Sequence, residues 1–125
     1  MSTNRTLVPI YTSKGDTGAF MAYPYLFNLL GEWIGWVTPD RQVYSVQGFY
    51  VGWLTNDPRI LRKRSTGFDQ PRRSPPAQPP RVNLPAQVAL APLMAELSYS
   101  DLDVLEDSPD LLPPVDAGEL RQDLE

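Results

Sequence analysis

Hydrophobic and polar positions follow one pattern twice between residues 26 and 57. Residues 26–40 align with residues 43–57 at a shift of 17 residues with no gap. The matched pairs include Gly31/Gly48, Trp33/Tyr50, Gly35/Gly52, Trp36/Trp53 and Thr38/Thr55. In each copy a short run of apolar, β-branched and aromatic residues meets a glycine, and a second such run follows. This order predicts one β-hairpin per copy, with the glycine supplying the positive φ of the turn.

The predicted returning strands are apolar on both faces. Alternation along a strand places Trp33 and Val37 on one face, while Ile34 and Trp36 lie on the other. Strands without a polar face are typically covered on both sides, so we predict that the tryptophans are core residues. A ligand-stacking platform is the alternative. The central glycine, Gly35 in the first copy, is predicted to leave room for a large side chain of a neighbouring hairpin.

Two further copies extend the pattern in both directions. Residues 10–16 align with residues 26–32 at a shift of 16, although Ala19 replaces the strand glycine. After Pro58, Ile60-Leu61 begins a degraded fourth copy in which Gly67-Phe68 is predicted to take the place of Gly52-Trp53. Short units of this kind cannot bury themselves alone, so they are predicted to stack around an axis and share one core.

Tandem hairpins with glycine in the turn and Gly-Trp in the returning strand resemble the bacterial four-fold β-flower domain. The residues that carry the resemblance are Gly31, Gly35-Trp36, Gly48, Gly52-Trp53 and Gly67-Phe68. The proline-rich segment and acidic, leucine-containing tail match the same family. The resemblance implies four β-hairpin petals around a pseudo-symmetry axis, and it implies no functional residues.

The whole chain is therefore predicted to be all-β, with a proline-rich linker and an acidic tail after the hairpins. The predicted segments are a polar leader (1–7), a repeated hairpin domain (8–70), the linker (71–92) and the tail (93–125). The linker region holds seven prolines in 22 residues, which favours an extended conformation. Residues 84–97 are predicted to cover an apolar face of the hairpins, and the end of the chain, from residue 113, is predicted to fray.

Charge divides the chain sharply, because residues 59–81 hold seven basic and one acidic residue, whereas residues 82–125 hold one basic and ten acidic residues. The basic segment suggests a nucleic-acid or anionic-surface site as one alternative. The other is a solvated turn, or a patch that pairs with the chain's own acidic tail. Residues 73–81 also have the form of an SH3 ligand. The candidate partner-binding residues are Arg62, Lys63, Arg64, Arg72, Arg73, Leu102 and Leu105.

The chain has no cysteine and no histidine. Their absence removes thiol nucleophiles, the commonest general base and most transition-metal sites, so we predict no catalytic residues, no metal and no cofactor. A carboxylate-based hydrolase is a third hypothesis. Neither a signal-peptide pattern nor a sufficiently long apolar run is recognisable, which favours a cytoplasmic protein without membrane insertion. The favoured function is a non-catalytic interaction or structural module with a protein partner or with itself.

Overall fold

The computed structural model describes residues 6–115, in which eight antiparallel strands form a single sheet in chain order. The strands are β1 (Val8–Tyr11), β2 (Thr17–Ala22), β3 (Tyr25–Phe27), β4 (Trp33–Val37), β5 (Gln42–Ser45), β6 (Tyr50–Leu54), β7 (Ile60–Lys63) and β8 (Asp101–Asp103). A short helix α1 (Val104–Asp107) and a 3-10 helix (Pro109–Leu111) follow. Most of the predicted leader and of the stretch predicted to fray lies outside the described residues.

The sheet curls until its first strand reaches the start of β7. The backbone amide of Tyr11 donates a hydrogen bond to the carbonyl of Pro58 (3.0 Å). Earlier in the chain, each hairpin is joined to the next in a matched way, by Val37 N to Pro24 O (2.8 Å) and by Leu54 N to Arg41 O (2.9 Å). The prediction of tandem hairpins around a central axis is confirmed.

Repeat-equivalent side chains from the outgoing strand of each hairpin meet in the core. Ile10, Leu26, Val43 and Ile60 are all fully buried and belong to one cluster. Each Å² of apolar surface that these four side chains bury stabilises the fold by about 25 cal/mol. Each hairpin therefore contributes an equivalent apolar side chain to a shared interior, beside other buried side chains of its own.

The tryptophans of the two best-matched copies lie at equivalent positions in the sheet. Trp36 pairs with Tyr44 across β4 and β5, and Trp53 pairs with Leu61 across β6 and β7. Trp36 is buried, stacks on Tyr44 with ring centroids 4.9 Å apart and donates its indole N–H to Ser45 O. Trp53 is only half-buried, and Lys63 Nζ lies 5.7 Å from its ring centroid.

The strand glycines have a different cause from the one predicted. A Cβ on Gly52 would collide with the carbonyl oxygen of Leu61, and one on Gly35 would collide with that of Tyr44. The neighbouring backbone, rather than a large side chain, therefore fills most of this space, although Leu112 also reaches Gly35. The glycines allow the sheet to curl tightly, because they let adjacent strands approach closely.

The fourth hairpin also differs from prediction, because its returning strand comes from the acidic tail. Leu61 pairs with Asp103, and Lys63 pairs with Asp101. Gly67-Phe68, predicted to form that strand, instead lies in the loop after β7, with Phe68 80% exposed. The interpretation of Gly67-Phe68 is therefore wrong: the true strand alternates charged and apolar residues, and 37 residues separate it from β7.

Candidate functional site

The first three hairpin tips are built in the same way. A side-chain oxygen accepts the amide four residues later, from Asp16 to Thr12 (3.3 Å), from Glu32 to Asn28 (3.0 Å) and from Phe49 to Ser45 (3.2 Å). The fourth residue of each turn is a glycine with positive φ, namely Gly15 (93°), Gly31 (80°) and Gly48 (90°). This conformation is strained for residues with a Cβ, and it explains why glycine recurs at each tip.

An extended segment, here called the belt (residues 72–99), lies across two of these tips. The amide of Arg73 donates to Gly48 O (3.0 Å), and the amide of Val82 donates to Gly31 O (3.2 Å). A Cβ on Gly48 would collide with the Arg73 carbonyl, and one on Gly31 would collide with the Val82 carbonyl. Both tips therefore hold the belt by the same backbone contact and at the same close approach.

An arginine of the belt reinforces each contact. Arg72 donates to Gln47 O from both Nε (3.1 Å) and Nη2 (2.6 Å), and its guanidinium lies 4.6 Å from the ring centroid of Phe49. Arg81 donates from Nη2 to Leu30 O (2.9 Å). The two carbonyl acceptors occupy equivalent positions, one residue before the tip glycine.

A nine-residue sequence repeat underlies these equivalent contacts. Residues 72–80 align with residues 81–89, so that Arg72 falls on Arg81 and Pro76-Ala77-Gln78 falls on Pro85-Ala86-Gln87. The proline content of residues 71–92 predicted an extended linker, and the repeat within it was not recognised. Its signal was present, because the same spacing of arginine and Pro-Ala-Gln occurs twice.

The remainder of the belt continues around the domain. Tyr11 donates its hydroxyl to Ala89 O (2.8 Å), Arg59 donates to Ala95 O (3.0 Å), and Arg64 donates from Nε to Tyr99 O (2.9 Å). The belt therefore contacts the third, second, first and fourth hairpins in that order. Its side chains are mostly exposed, with Leu90 and Leu93 almost fully so. Residues 84–97 thus contact the hairpins largely through backbone carbonyls rather than as a broad apolar cover.

Arg62, a predicted partner-binding residue, is buried. It is 4% exposed, and its guanidinium donates to the carbonyls of Val51 (2.8 Å) and Gly67 (3.0 Å), with longer bonds to Tyr50 and Thr66. Burial lowers the pKa of Arg62, while the neighbouring Tyr50 opposes that shift. The side chain holds the loop after β7 against β6.

The other predicted site residues are distributed over separate parts of the fold. Lys63 is exposed and lies 3.0 Å from Asp101 Oδ1, so the basic segment does pair with the acidic tail at this point. The guanidinium of Arg73 lies 5.3 Å from the ring centroid of Tyr44. Leu102 and Leu105 are half-buried and pack against the main core. The basic residues therefore do not form one continuous cluster.

A buried polar network joins the first hairpin to the fourth. Asp103, 1% exposed, accepts hydrogen bonds at Oδ2 from the amide (2.7 Å) and hydroxyl (2.6 Å) of Ser13, and Arg59 donates to that hydroxyl (2.9 Å). Arg59 also pairs with Asp57 at 2.8 Å. Partial burial raises the pKa of Asp57, but hydrogen bonds from Arg59 and Thr55 and the charge of Arg59 outweigh it, so the pKa lies below its ordinary value.

Two concave regions lie outside this network. A cavity of about 240 Å³ lies between Phe49, Tyr50, Phe68 and Leu111. A wider groove of about 490 Å³ is lined by Tyr23, Trp36 and Asp40 on one side and by Arg73 and Pro76 of the belt on the other. Within residues 6–115 no group of three or more carboxylates is placed to hold a metal ion.

Comparison with known proteins gives a match over most of the chain. The family described as "4-fold beta flower protein" matches residues 8–106, which include the hairpins, the belt and β8. No curated protein and no solved structure matches the chain. No helix in the described part of the chain is long and apolar enough to span a membrane. The extent of the family match, together with the curled sheet of four hairpins, shows that the chain belongs to the 4-fold beta flower family.

Proposed function

We propose that this domain is a non-catalytic protein-interaction module that binds extended polypeptide at its hairpin tips. In this proposal, residues 72–82 are a ligand of that kind supplied by the chain itself. The observation that supports it is the paired contact described above, in which Gly48 and Gly31 each accept a belt amide while an adjacent carbonyl accepts a belt arginine. Two copies of one contact, matched in both the hairpin repeat and the belt repeat, indicate a recurrent binding mode.

The chemistry of this contact suits recognition of extended chains. Backbone hydrogen bonds supply affinity without regard to sequence, and side-chain contacts at fixed spacing supply specificity. Proline restricts the free ligand to extended conformations, which reduces the conformational entropy lost on binding. The belt combines the three features, because prolines separate its two arginine anchors, Arg72 and Arg81.

Two other hypotheses receive less support from the geometry. A nucleic-acid site needs free cations, yet Arg62 is buried on carbonyls and Arg72 donates to Gln47 O. A carboxylate-based hydrolase needs two acids facing one cleft. Of the described carboxylates, the most buried is Asp103, whose Oδ2 is occupied by Ser13.

The test weakens the contact between the belt and the hairpin tips and adds a free peptide that can replace the belt. The probe is a fluorescein-labelled synthetic peptide of residues 77–87, here called the belt peptide, which contains Arg81 and Val82. In the full-length R72A/R81A variant the belt keeps its backbone bonds but loses its arginine anchors, so the free peptide competes more easily with it. We expect saturable binding by fluorescence anisotropy, with slower hydrogen exchange in residues 28–32 and 45–49.

The proposal is overturned if the R72A/R81A chain binds no belt peptide up to about 1 mM, a concentration comparable to the effective concentration of a tethered ligand. A peptide carrying alanine in place of Arg81 is the matched control. It should bind several-fold more weakly, because it keeps the backbone donor and loses the guanidinium.

A further inference from the structure

The first hairpin tip has the same geometry as the two tips that hold the belt. The amide of Thr12 donates to Asp16 O (2.7 Å), and the amide of Gly15 donates to Thr12 O (2.9 Å). The equivalent turn bonds at the second tip are Asn28 N to Glu32 O (2.9 Å) and Gly31 N to Asn28 O (3.1 Å). With Gly15 at a φ of 93°, the first tip presents its carbonyls in the conformation of the other two.

The first tip differs from the other two because the belt does not cover its glycine. At the Gly15 tip, no described residue beyond its chain neighbours comes within 4 Å of the position that a Cβ would occupy. The belt approaches this hairpin at Ala89, whose carbonyl accepts the hydroxyl of Tyr11. One nine-residue step after Arg81 the belt carries Leu90, which is 94% exposed and has no guanidinium to donate.

Charge at this tip favours a basic ligand. Asp16 is exposed on the tip, and Glu106 of α1 is drawn against it because Glu106 Oε2 accepts the amide of Lys14 (2.8 Å). Lys14 itself is exposed and its side chain is the cation of the turn. Asp103 and Arg59 both bond to Ser13 of the same turn and add one charge of each sign, so three carboxylates face two cations and the tip stays net acidic. The acceptor carbonyls at the other tips already attract arginine.

We infer that the Gly15 tip is the binding site for a partner protein, and that it takes an extended segment in which an arginine precedes the residue that donates its amide. The arginine would donate to Lys14 O, and the following amide would donate to Gly15 O, by analogy with Arg81 and Val82 at the second tip. This inference rests on the proposed function, since it uses the same contact and adds its location and ligand chemistry.

The experiment uses the wild-type full-length chain, in which the belt is intact. Titration with the belt peptide should give one bound peptide per chain and slower hydrogen exchange in residues 12–16. In the Gly15→Asn variant, binding should weaken at least tenfold, because any Cβ at this position occupies the space of the ligand's backbone. Asparagine is preferred to alanine because it tolerates positive φ better, so the tip stays folded.

Glu106→Gln provides a second variant that leaves the space open. The amide oxygen of glutamine can still accept the Lys14 amide, so only the charge is removed, and we expect a two- to fivefold loss of affinity that shrinks at high salt. Circular dichroism and the melting temperature of each variant confirm that it is folded.

The possible results separate the inference from the proposed function. If wild-type protein binds no peptide while the R72A/R81A chain binds it, the inference fails and the proposed function stands. If wild-type binding is unchanged by Gly15→Asn, the ligand lies elsewhere and the inference also fails. The inference is supported if the peptide protects only residues 12–16 in the wild type and if folded Gly15→Asn does not bind it.

Discussion

Replacement of Gly48 by alanine tests whether the belt is held at the tips as described. Gly48 and Gly15 have nearly the same φ, 90° and 93°, but only Gly48 lies against the belt. Alanine in the left-handed region costs roughly 1–2 kcal/mol. Reduced entropy of the unfolded chain returns about 0.4–1 kcal/mol. Gly15→Ala therefore measures the conformational cost alone, which we expect to be about 1 kcal/mol.

Gly48→Ala should cost more, because the new methyl group would collide with the Arg73 carbonyl. The belt must move away and lose the bond from Arg73 N to Gly48 O, worth about 0.5–1.5 kcal/mol. The exposed bonds of Arg72 to Gln47 add about 0.5 kcal/mol. The total should reach about 2–3 kcal/mol, and the melting temperature should fall about 4–8 °C further than in Gly15→Ala.

Urea denaturation of both variants measures the two free energies of unfolding, and hydrogen exchange of residues 72–76 reports on the belt locally. In Gly48→Ala the amide of Arg73 should exchange at least tenfold faster, while in Gly15→Ala it should be unchanged. Equal destabilisation of the two variants, with Arg73 equally protected in both, would refute the assignment of Gly48 as a belt-binding residue.

Three further predictions address the core and its closure. Arg62→Lys should destabilise the fold by roughly 2–4 kcal/mol in urea denaturation, because an ammonium cannot satisfy the buried carbonyls of Val51 and Gly67. The matched control, Arg64→Lys, changes an exposed arginine and should cost under about 0.5 kcal/mol; equal effects would contradict the role of Arg62. Because the folded pKa of Asp57 is lowered, its carboxylate stabilises the fold above its unfolded pKa of about 3.9, and this contribution is lost as the pH falls through the folded pKa. Unfolding free energies measured from pH 7 to pH 2.5 should therefore decline less steeply in Asp57→Asn than in the wild type, and parallel curves would argue against the ion pair with Arg59. Truncation after Arg81 removes β8 and the buried Val104 and Leu112, so circular dichroism should show no cooperative thermal transition; an unchanged transition would mean that the hairpins fold without the tail.

Sequence periodicity was sufficient to predict the hairpins because each one uses the same short pattern of buried residues and a turn glycine. Leu26 and Val43 are buried at matched positions, and Gly31 and Gly48 adopt the same φ region. The turn signal was stronger than the Leu-Gly and Gln-Gly pairs indicate, since a Thr, Asn or Ser three residues before each glycine closes the turn with its side chain.

The eighth strand was not predictable in the same way. Asp101 and Asp103 are charged, and burial of a carboxylate is unfavourable unless specific donors are present. Those donors come from distant positions, Ser13 and Lys63, and no local pattern reveals them. Asp103 also directly precedes α1, but its Oδ2 accepts hydrogen bonds from Ser13, and α1 lacks a side-chain cap bond.

The candidate site was not predictable from charge or chemically reactive side chains. Arg62 belongs to the most basic run in the chain, yet it is a structural residue within the fold. The contacts that support binding are backbone carbonyls at Gly31 and Gly48, which no side-chain motif can indicate. Only the joint spacing of tip glycines and belt arginines carries that information.

The late position of β8 in the chain has a consequence for biosynthesis. During translation, β1 to β7 leave the ribosome before Asp101–Asp103 has been made, so the nascent sheet has an unpaired edge at Ile60–Lys63. The belt is synthesised in that interval and reaches the tips first. Closure of the last hairpin therefore waits until residues 101–103 have emerged, and its long loop makes this closure entropically more costly than that of the first three hairpins.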